Sequence, residues 1–135
     1  MRRFLGFLTS ILLVFLTACG SVTPPQEFAP DGEIVAKALL LQFRHTSDRL
    51  SQSLQIEEPQ VKIAKINVTS LEPIYVGNLP AYHLQGDYDL TLQLPHQKDT
   101  KQHNNFDLYL QRQIEGKTWR LLEEVASQWR SYLVK

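Results

Sequence analysis

The sequence of 135 residues predicts an α+β fold, in which one N-terminal helix packs on a curved antiparallel sheet of four to five strands. Between Ile34 and Leu54, apolar residues recur at three- and four-residue spacing, which is typical of a helix with one buried face. After Pro59, apolar and polar residues alternate instead, which is typical of strands with one buried face. The helix and the sheet can then bury their apolar faces against each other.

The first segment, residues 1–18, has the features of an export signal. Arg2 and Arg3 precede an apolar run that is shorter than the roughly 20 residues needed to span a bilayer. The run ends in LTAC at positions 16–19, which resembles the lipobox of bacterial lipoproteins. An ordinary secretory signal with a chance cysteine, or an uncleaved anchor, remains the alternative interpretation.

The lipobox resemblance implies three modifications: a diacylglycerol on the thiol of Cys19, cleavage before that residue, and acylation of the new amino group. We therefore expect a protein that is anchored in a bacterial membrane by lipid such as palmitate, with its domain outside the cytoplasm. Position 20 is Gly rather than Asp, which favours the outer over the inner membrane in a Gram-negative host. No free thiol would remain in the mature chain, because Cys19 is the only cysteine.

Residues 19–30 are expected to form the lipidated end and a Pro-rich, unstructured tether, and residues 31–135 a single domain. Basic and acidic residues number 14 each, so removing Arg2 and Arg3 leaves a slight acidic excess. No basic stripe is present that could neutralise phosphates, which argues against a nucleic-acid partner.

The helix is expected to begin at Asp31, whose side chain can cap it, and to end at Glu57-Glu58-Pro59. The following stretch is rich in β-branched residues, but its apolar phase changes, and a bulge near Ala64-Lys65 would reconcile the two halves.

A turn at 76–78 then leads into the clearest alternation in the chain, residues 82–94. Residues 95–105 are expected to form a polar loop. A strand bearing Phe106 and Ile114 on its apolar side should follow, then a tight turn at Glu115-Gly116 and another strand.

Two registers place the alternating apolar residues of the paired strands on one face. The first pairs Leu110 with Leu121 and Arg112 with Trp119, and the second pairs Leu94 with Phe106 and Leu90 with Leu110. Glu123 would fall on the same face, so either the register or the strand is expected to break near Leu122. Residues 127–135 are expected to form a strand rather than a helix, because they contain several β-formers. In element order, residues 31–135 resemble the cystatin-like and NTF2-like folds, in which a curved sheet wraps round a helix.

Two groups of side chains are candidates for function. Polar and aromatic residues on the outer sheet face form a possible binding face: His83, Asp87, Asp89, Asp107 and Tyr109. A second group could line a concave pocket: Tyr82, Tyr88, Arg112 and Trp119, with Arg112 and Trp119 as a cation–π pair. The simpler interpretations are a solvated face and ordinary core. The His and carboxylate groups of the binding face could bind a divalent cation or act as acid and base, but a flat, open face does not force ligands to converge. His96 and His103 are expected in the polar loop, where a metal would need a third strong ligand, so no metal or other cofactor is expected.

The sequence contains no phosphate-binding loop, nucleophile elbow or HExxH motif. The expected function is therefore a lipid-anchored, non-enzymatic binding or assembly module with a protein partner in the cell envelope. A carrier of a small ligand, or an enzyme that uses an NTF2-like pocket, is the alternative.

Overall fold

One helix and five strands follow one another in a computed structural model that describes residues 22–54 and 59–135, with only the backbone described for 49–54. The elements are α1 (Gly32–Leu54), β1 (Gln60–Val76), β2 (Leu79–Gln93), β3 (Thr100–Arg112), β4 (Trp119–Val125) and β5 (Gln128–Val134). The strands form one antiparallel sheet in sequence order, and α1 packs on one of its faces. The predicted α+β arrangement is confirmed, and the C-terminal segment is a strand. Residues 1–18 and Cys19 lie outside the described residues.

The helix begins where the sequence predicts. The side chain of Asp31 accepts a hydrogen bond from the backbone N–H of Ile34 at 2.9 Å, which caps the first turn and stabilises it by about 1 kcal/mol. Val35, Ala38 and Leu39 are almost fully buried and supply the helix's share of the core. The predicted stop at Glu57 and Glu58 lies outside the described residues.

The predicted change of phase in β1 is resolved by a bulge, as expected. The register with β2 shifts between Ala64 and Asn67, and Lys65 adopts a positive φ of 51° at this point. A second shift, which the sequence did not predict, lies between Val68 and Ser70. These bulges allow one long strand to keep its apolar residues against the core: Val61, Ile63, Ile66 and Leu71.

The predicted register between β2 and β3 is wrong. Leu110 lies opposite Tyr82 rather than Leu90, and Phe106 lies opposite Gly86 rather than Leu94. The reason is that β3 already begins at Thr100, so most of the predicted polar loop is strand. The displacement is an even number of residues, so every side chain still points to its predicted face.

The hairpin between β3 and β4 has the predicted register, with Leu110 opposite Leu121 and Arg112 opposite Trp119. Its turn contains Gly116 at a φ of 74°, a conformation that favours glycine. Ile114 does not join the apolar face as expected. It lies in this turn and is 90% exposed.

The strand itself does not break near Leu122, because β4 continues to Val125, but its pairing with β3 ends at Leu122, which is one of the two predicted forms of the break. Glu123 does lie on the helix side of the sheet, and its carboxylate is 3.4 Å from Nδ1 of His45 in α1. The His45 ring also contacts Tyr132 of β5, with 4.3 Å between the ring centroids. His45 of the helix therefore gives the Glu123 carboxylate a polar partner on the core side of the sheet, and the strand can include this acidic residue.

The expectation of an unstructured tether is wrong from Pro24 onward. Pro24 is buried, and Gln26–Phe28 forms a short 3-10 turn. The Tyr82 hydroxyl donates a hydrogen bond to the carbonyl of Pro25 at 2.7 Å, and Arg112 lies over the Phe28 ring at 4.7 Å. The domain thus holds its own N-terminal segment.

We predict that Gly86→Ala destabilises the fold by about 1–3 kcal/mol, the usual cost of overpacking. A Cβ at this position would overlap the carbonyl oxygen of Asn67 and come within 2.9 Å of the Phe106 ring. Gly32→Ala is the matched control, because a Cβ there meets nothing within 4 Å. Urea unfolding of both variants tests the prediction, and equal midpoints would contradict it.

Candidate functional site on the helix-free sheet face

The sheet has one face that α1 does not cover, and we call it the helix-free face. Odd-numbered residues of β2 and β3 point to this side, because their even-numbered neighbours, such as Leu84 and Leu108, form the core. Directly opposite residues of paired strands share a face, so this side also receives Glu72 of β1 and Leu122 of β4. The predicted binding residues therefore lie where the sequence placed them.

A hydrogen-bonded cluster lies near the middle of this face. His83 Nε2 is 2.7 Å from Asp107 Oδ1, and the Gln85 amide donates a hydrogen bond to Asp107 Oδ2 at 2.8 Å. The hydrogen bond from Gln85, followed by that from His83, lowers the pKa of Asp107. The His83 ring also stacks on Tyr109, with centroids 4.2 Å apart and planes 4° from parallel. The three predicted residues of this cluster thus hold one another in place.

An apolar patch adjoins the cluster on the side of β5. Trp129 meets the edge of Tyr109 at 5.0 Å between ring centroids, and it remains 44% exposed. Leu122 lies opposite Tyr109 in the sheet and is only 4% exposed, although no helix covers it. Leu133 is 40% exposed on the same face. We call this surface the aromatic patch, and its members are His83, Tyr109, Leu122, Trp129 and Leu133.

The sequence analysis missed two members of the aromatic patch: Leu122 and Leu133. One signal for Leu122 was present, because Leu121 and Leu122 are adjacent apolar residues in a strand and must point to opposite faces. Apolar side chains on both sides of β4 indicate that part of the helix-free face is also shielded from water.

Three acidic residues lie at the edge of the aromatic patch. Burial, and then the negative charges of Asp107, Glu124 and Glu72, raise the pKa of Tyr109. Glu124 lies opposite Trp129, and Glu72 lies opposite His83, where its carboxylate is 3.7 Å from Nδ1. The aromatic patch therefore has an acidic rim.

The other two predicted residues belong to a neighbouring cluster. Asp89 Oδ1 is 2.8 Å from His103 Nδ1 and Asp87 Oδ1 is 3.6 Å from His103 Nε2, while the Lys65 amine is 3.2 Å from Asp89 Oδ2. The hydrogen bonds from His103 and Lys65 lower the pKa of Asp89. His103 was expected in a loop, but it lies in β3 opposite Asp89. Among residues 22–54 and 59–135, no three His, Cys, Asp or Glu side chains are arranged to hold a metal ion.

The predicted pocket residues are mostly core. Tyr82, Trp119 and Tyr88 are 0%, 7% and 9% exposed, and the helix residues Val35 and Leu39 belong to the same cluster. Burial raises the pKa values of Tyr82 and Tyr88. The face that would line a concave pocket is thus filled by side chains of the helix and sheet.

Arg112, the fourth predicted pocket residue, has a structural role. Its guanidinium donates two hydrogen bonds to the carbonyl of Gly116, at 3.0 and 2.9 Å. The same group lies over the ring of Phe28 rather than that of Trp119. Arg112 therefore joins the N-terminal segment to the turn between β3 and β4.

No family model matches this sequence, and neither a curated protein nor a solved structure matches it. The resemblance to cystatin-like and NTF2-like folds consequently stays a prediction. In the described part of the chain, no helix has the length and apolar character needed to cross a membrane. The aromatic patch and its acidic rim are thus the features from which function has to be argued.

We predict that the Gln85→Ala substitution raises the pKa of Asp107 toward its ordinary value of 3.8, because it removes the strongest interaction that lowers it. In the parent protein, the lowered pKa stabilises the fold above that value, and this contribution is lost as the pH falls through the lowered pKa. Carboxyl NMR titration measures the pKa. Gln93→Ala is the control, because Gln93 donates to Asp99 instead. An unchanged Asp107 titration in Gln85→Ala would contradict the prediction.

Proposed function

We propose that this protein is a lipid-anchored binding module of a bacterial cell envelope, and that a protein partner docks on the helix-free face. The observation that carries the proposal is the aromatic patch, in which Trp129 and Leu133 stay exposed above the buried Leu122. Trp and Tyr are enriched among the residues that dominate protein–protein binding, especially where they surround a desolvated centre.

The charges around the patch indicate the chemistry of the partner. Glu72, Asp107 and Glu124 form the rim, while Arg120 lies opposite Leu133 and donates hydrogen bonds to Ser131 of β5. Three acidic groups beside one such cation leave the rim with an acidic excess. A partner segment with an apolar side chain flanked by Lys or Arg would be complementary in shape and charge. Such a rim would increase the association rate at low ionic strength and lose its effect in high salt.

The alternatives of a small-ligand carrier and of an enzyme both require an open concave pocket. The burial of Tyr82, Tyr88 and Trp119 supports docking on the outer face over either alternative. The hydrogen-bonded state of His83 and Asp107 is also consistent with a preformed recognition surface, because side chains that are already ordered lose less entropy on binding.

The lipid anchor is the second part of the proposal, and the lipobox at positions 16–19 supports it. Several acyl chains would provide durable attachment, because each buried CH₂ contributes about 0.8 kcal/mol. Attachment would in turn raise the concentration of the domain near envelope partners.

We predict that cells grown with radiolabelled palmitate incorporate label into this protein, and that Cys19→Ala abolishes the incorporation. The thiol is the site of the first acyl transfer, so without it neither lipidation nor cleavage before residue 19 should occur. Mass spectrometry of the N-terminal peptide is the independent measurement. An unlabelled protein that retains residues 1–18 would refute the anchor.

We predict that Trp129→Ala weakens partner binding by roughly 2 kcal/mol or more, as expected for a residue that dominates an interface. A photo-crosslinking residue at Glu124, directly opposite Trp129, should give one discrete adduct in intact membranes. The adduct should disappear when Trp129→Ala is added.

Val68→Ala is the matched control for this experiment, because Val68 is 41% exposed but lies in β1, away from the aromatic patch. It should leave the adduct unchanged. A crosslinker at Lys98, in the turn after β2, should give no such adduct. Equal crosslinking from positions 98 and 124, or an adduct that survives Trp129→Ala, would count against docking on this face.

A further inference from the structure

The chain between Cys19 and the body of the domain is short. Pro24 is buried and the Tyr82 hydroxyl binds the carbonyl of Pro25, so the domain holds the chain from this point. Only residues 20–23 separate Cys19 from Pro24. At no more than ~3.6 Å per residue, this connection reaches ~18 Å even when fully extended, which is less than the ~30 Å diameter of a small domain.

Exposed apolar side chains lie at the same end of the domain. Phe28 is 45% exposed beneath the guanidinium of Arg112, and that guanidinium binds the carbonyl of Gly116 in the turn between β3 and β4. The same turn carries Ile114, which is 90% exposed. Val22, two residues before the buried Pro24, is 81% exposed.

The turn between β1 and β2 adds a fourth apolar side chain. Tyr75 is 46% exposed and lies opposite Pro80, beside this turn. The Gln111 amide donates a hydrogen bond to the carbonyl of Val76 at 2.8 Å, which joins the end of β3 to this hairpin. We call this surface the anchor-proximal end, and its apolar members are Val22, Phe28, Tyr75 and Ile114.

We propose that the anchor-proximal end rests on the membrane, with its four apolar side chains in contact with the lipid surface. This inference rests on the proposed lipidation of Cys19. The short connection brings this end of the domain to the bilayer, where exposed aliphatic and aromatic side chains gain from leaving water. Tyrosine is itself favoured at the membrane–water interface, since its ring is apolar and its hydroxyl is polar.

The orientation has a consequence for the aromatic patch. The strands run from the anchor-proximal end toward the turn between β2 and β3, so they stand upright on the membrane. The helix-free face then points sideways, along the plane of the membrane. A partner that is itself attached to the envelope can reach Trp129 without leaving the bilayer surface.

The experiment uses the full lipidated protein with one added thiol. Cys19 is the only cysteine and its thiol carries lipid, so Ile114→Cys gives a single site for an environment-sensitive fluorophore. The protein is reconstituted in vesicles of phosphatidylethanolamine and phosphatidylglycerol. Lys98→Cys is the matched control, because Lys98 is exposed in the turn at the opposite end of the sheet. Tyr75→Cys serves as a second reporter in case the first variant unfolds.

We expect the fluorophores at positions 114 and 75 to shift their emission to the blue in vesicles and to lose quenching by aqueous iodide. The fluorophore at position 98 should show neither change. If the protein floats with the vesicles but the fluorophores at 114 and 75 are exposed to water, the proposed orientation is wrong. The proposed anchor is not affected by that result. A protein without acyl groups that does not float would refute the proposed anchor, and this inference with it. A fluorophore attached at Trp129→Cys tests the other orientation. If it were protected from iodide, the helix-free face would lie on the bilayer, and the proposed orientation would be overturned.

Discussion

Packing of α1 on one face of the sheet is the interaction on which the rest of the structure depends. The helix supplies Val35, Ala38 and Leu39 to a core that otherwise consists of strand residues. With a single cysteine in the sequence, no disulfide can form within it, so stability has to come from this burial and from the hydrogen bonds of the sheet. One helix can cover only one face, so the second face must be solvated or be covered by something else.

The second face meets this constraint in two ways along its length. Asp87 and Asp89 interact with His103, as expected of a face in contact with water. Toward β5, Leu122 is buried without a helix over it, and it lies opposite Tyr109, whose ring contacts Trp129. This change in character along one sheet face is what distinguishes a surface suited to binding from a merely solvated one.

The sequence predicted the features that depend on periodicity. The helix follows from its three- and four-residue spacing, and the face of each β2 residue follows from alternation between positions 82 and 94. Alternation has a period of two, so it could not distinguish the real pairing of Leu110 with Tyr82 from a pairing displaced by an even number of residues. The pairing of His45 with Glu123 and the docking of Pro24 were also missed, because each joins segments that are distant in sequence and neither has a local pattern. The predicted binding residues reached their expected face, but the aromatic patch beside them depends on the pairing of β4 with β5, and the sequence analysis did not derive that register.

The two bulges in β1 affect more than the direction of its side chains. This strand pairs with β2 alone, so its outer edge presents backbone groups that another extended chain could bind. The irregular backbone at 64–67 and 68–70 interrupts that row of donors and acceptors, and Pro73 lacks an N–H altogether. Under the proposed lipid anchoring, copies held side by side at high local density would therefore find no continuous template for joining their sheets. β1 is thereby protected against the edge-to-edge aggregation to which crowded β-proteins are prone.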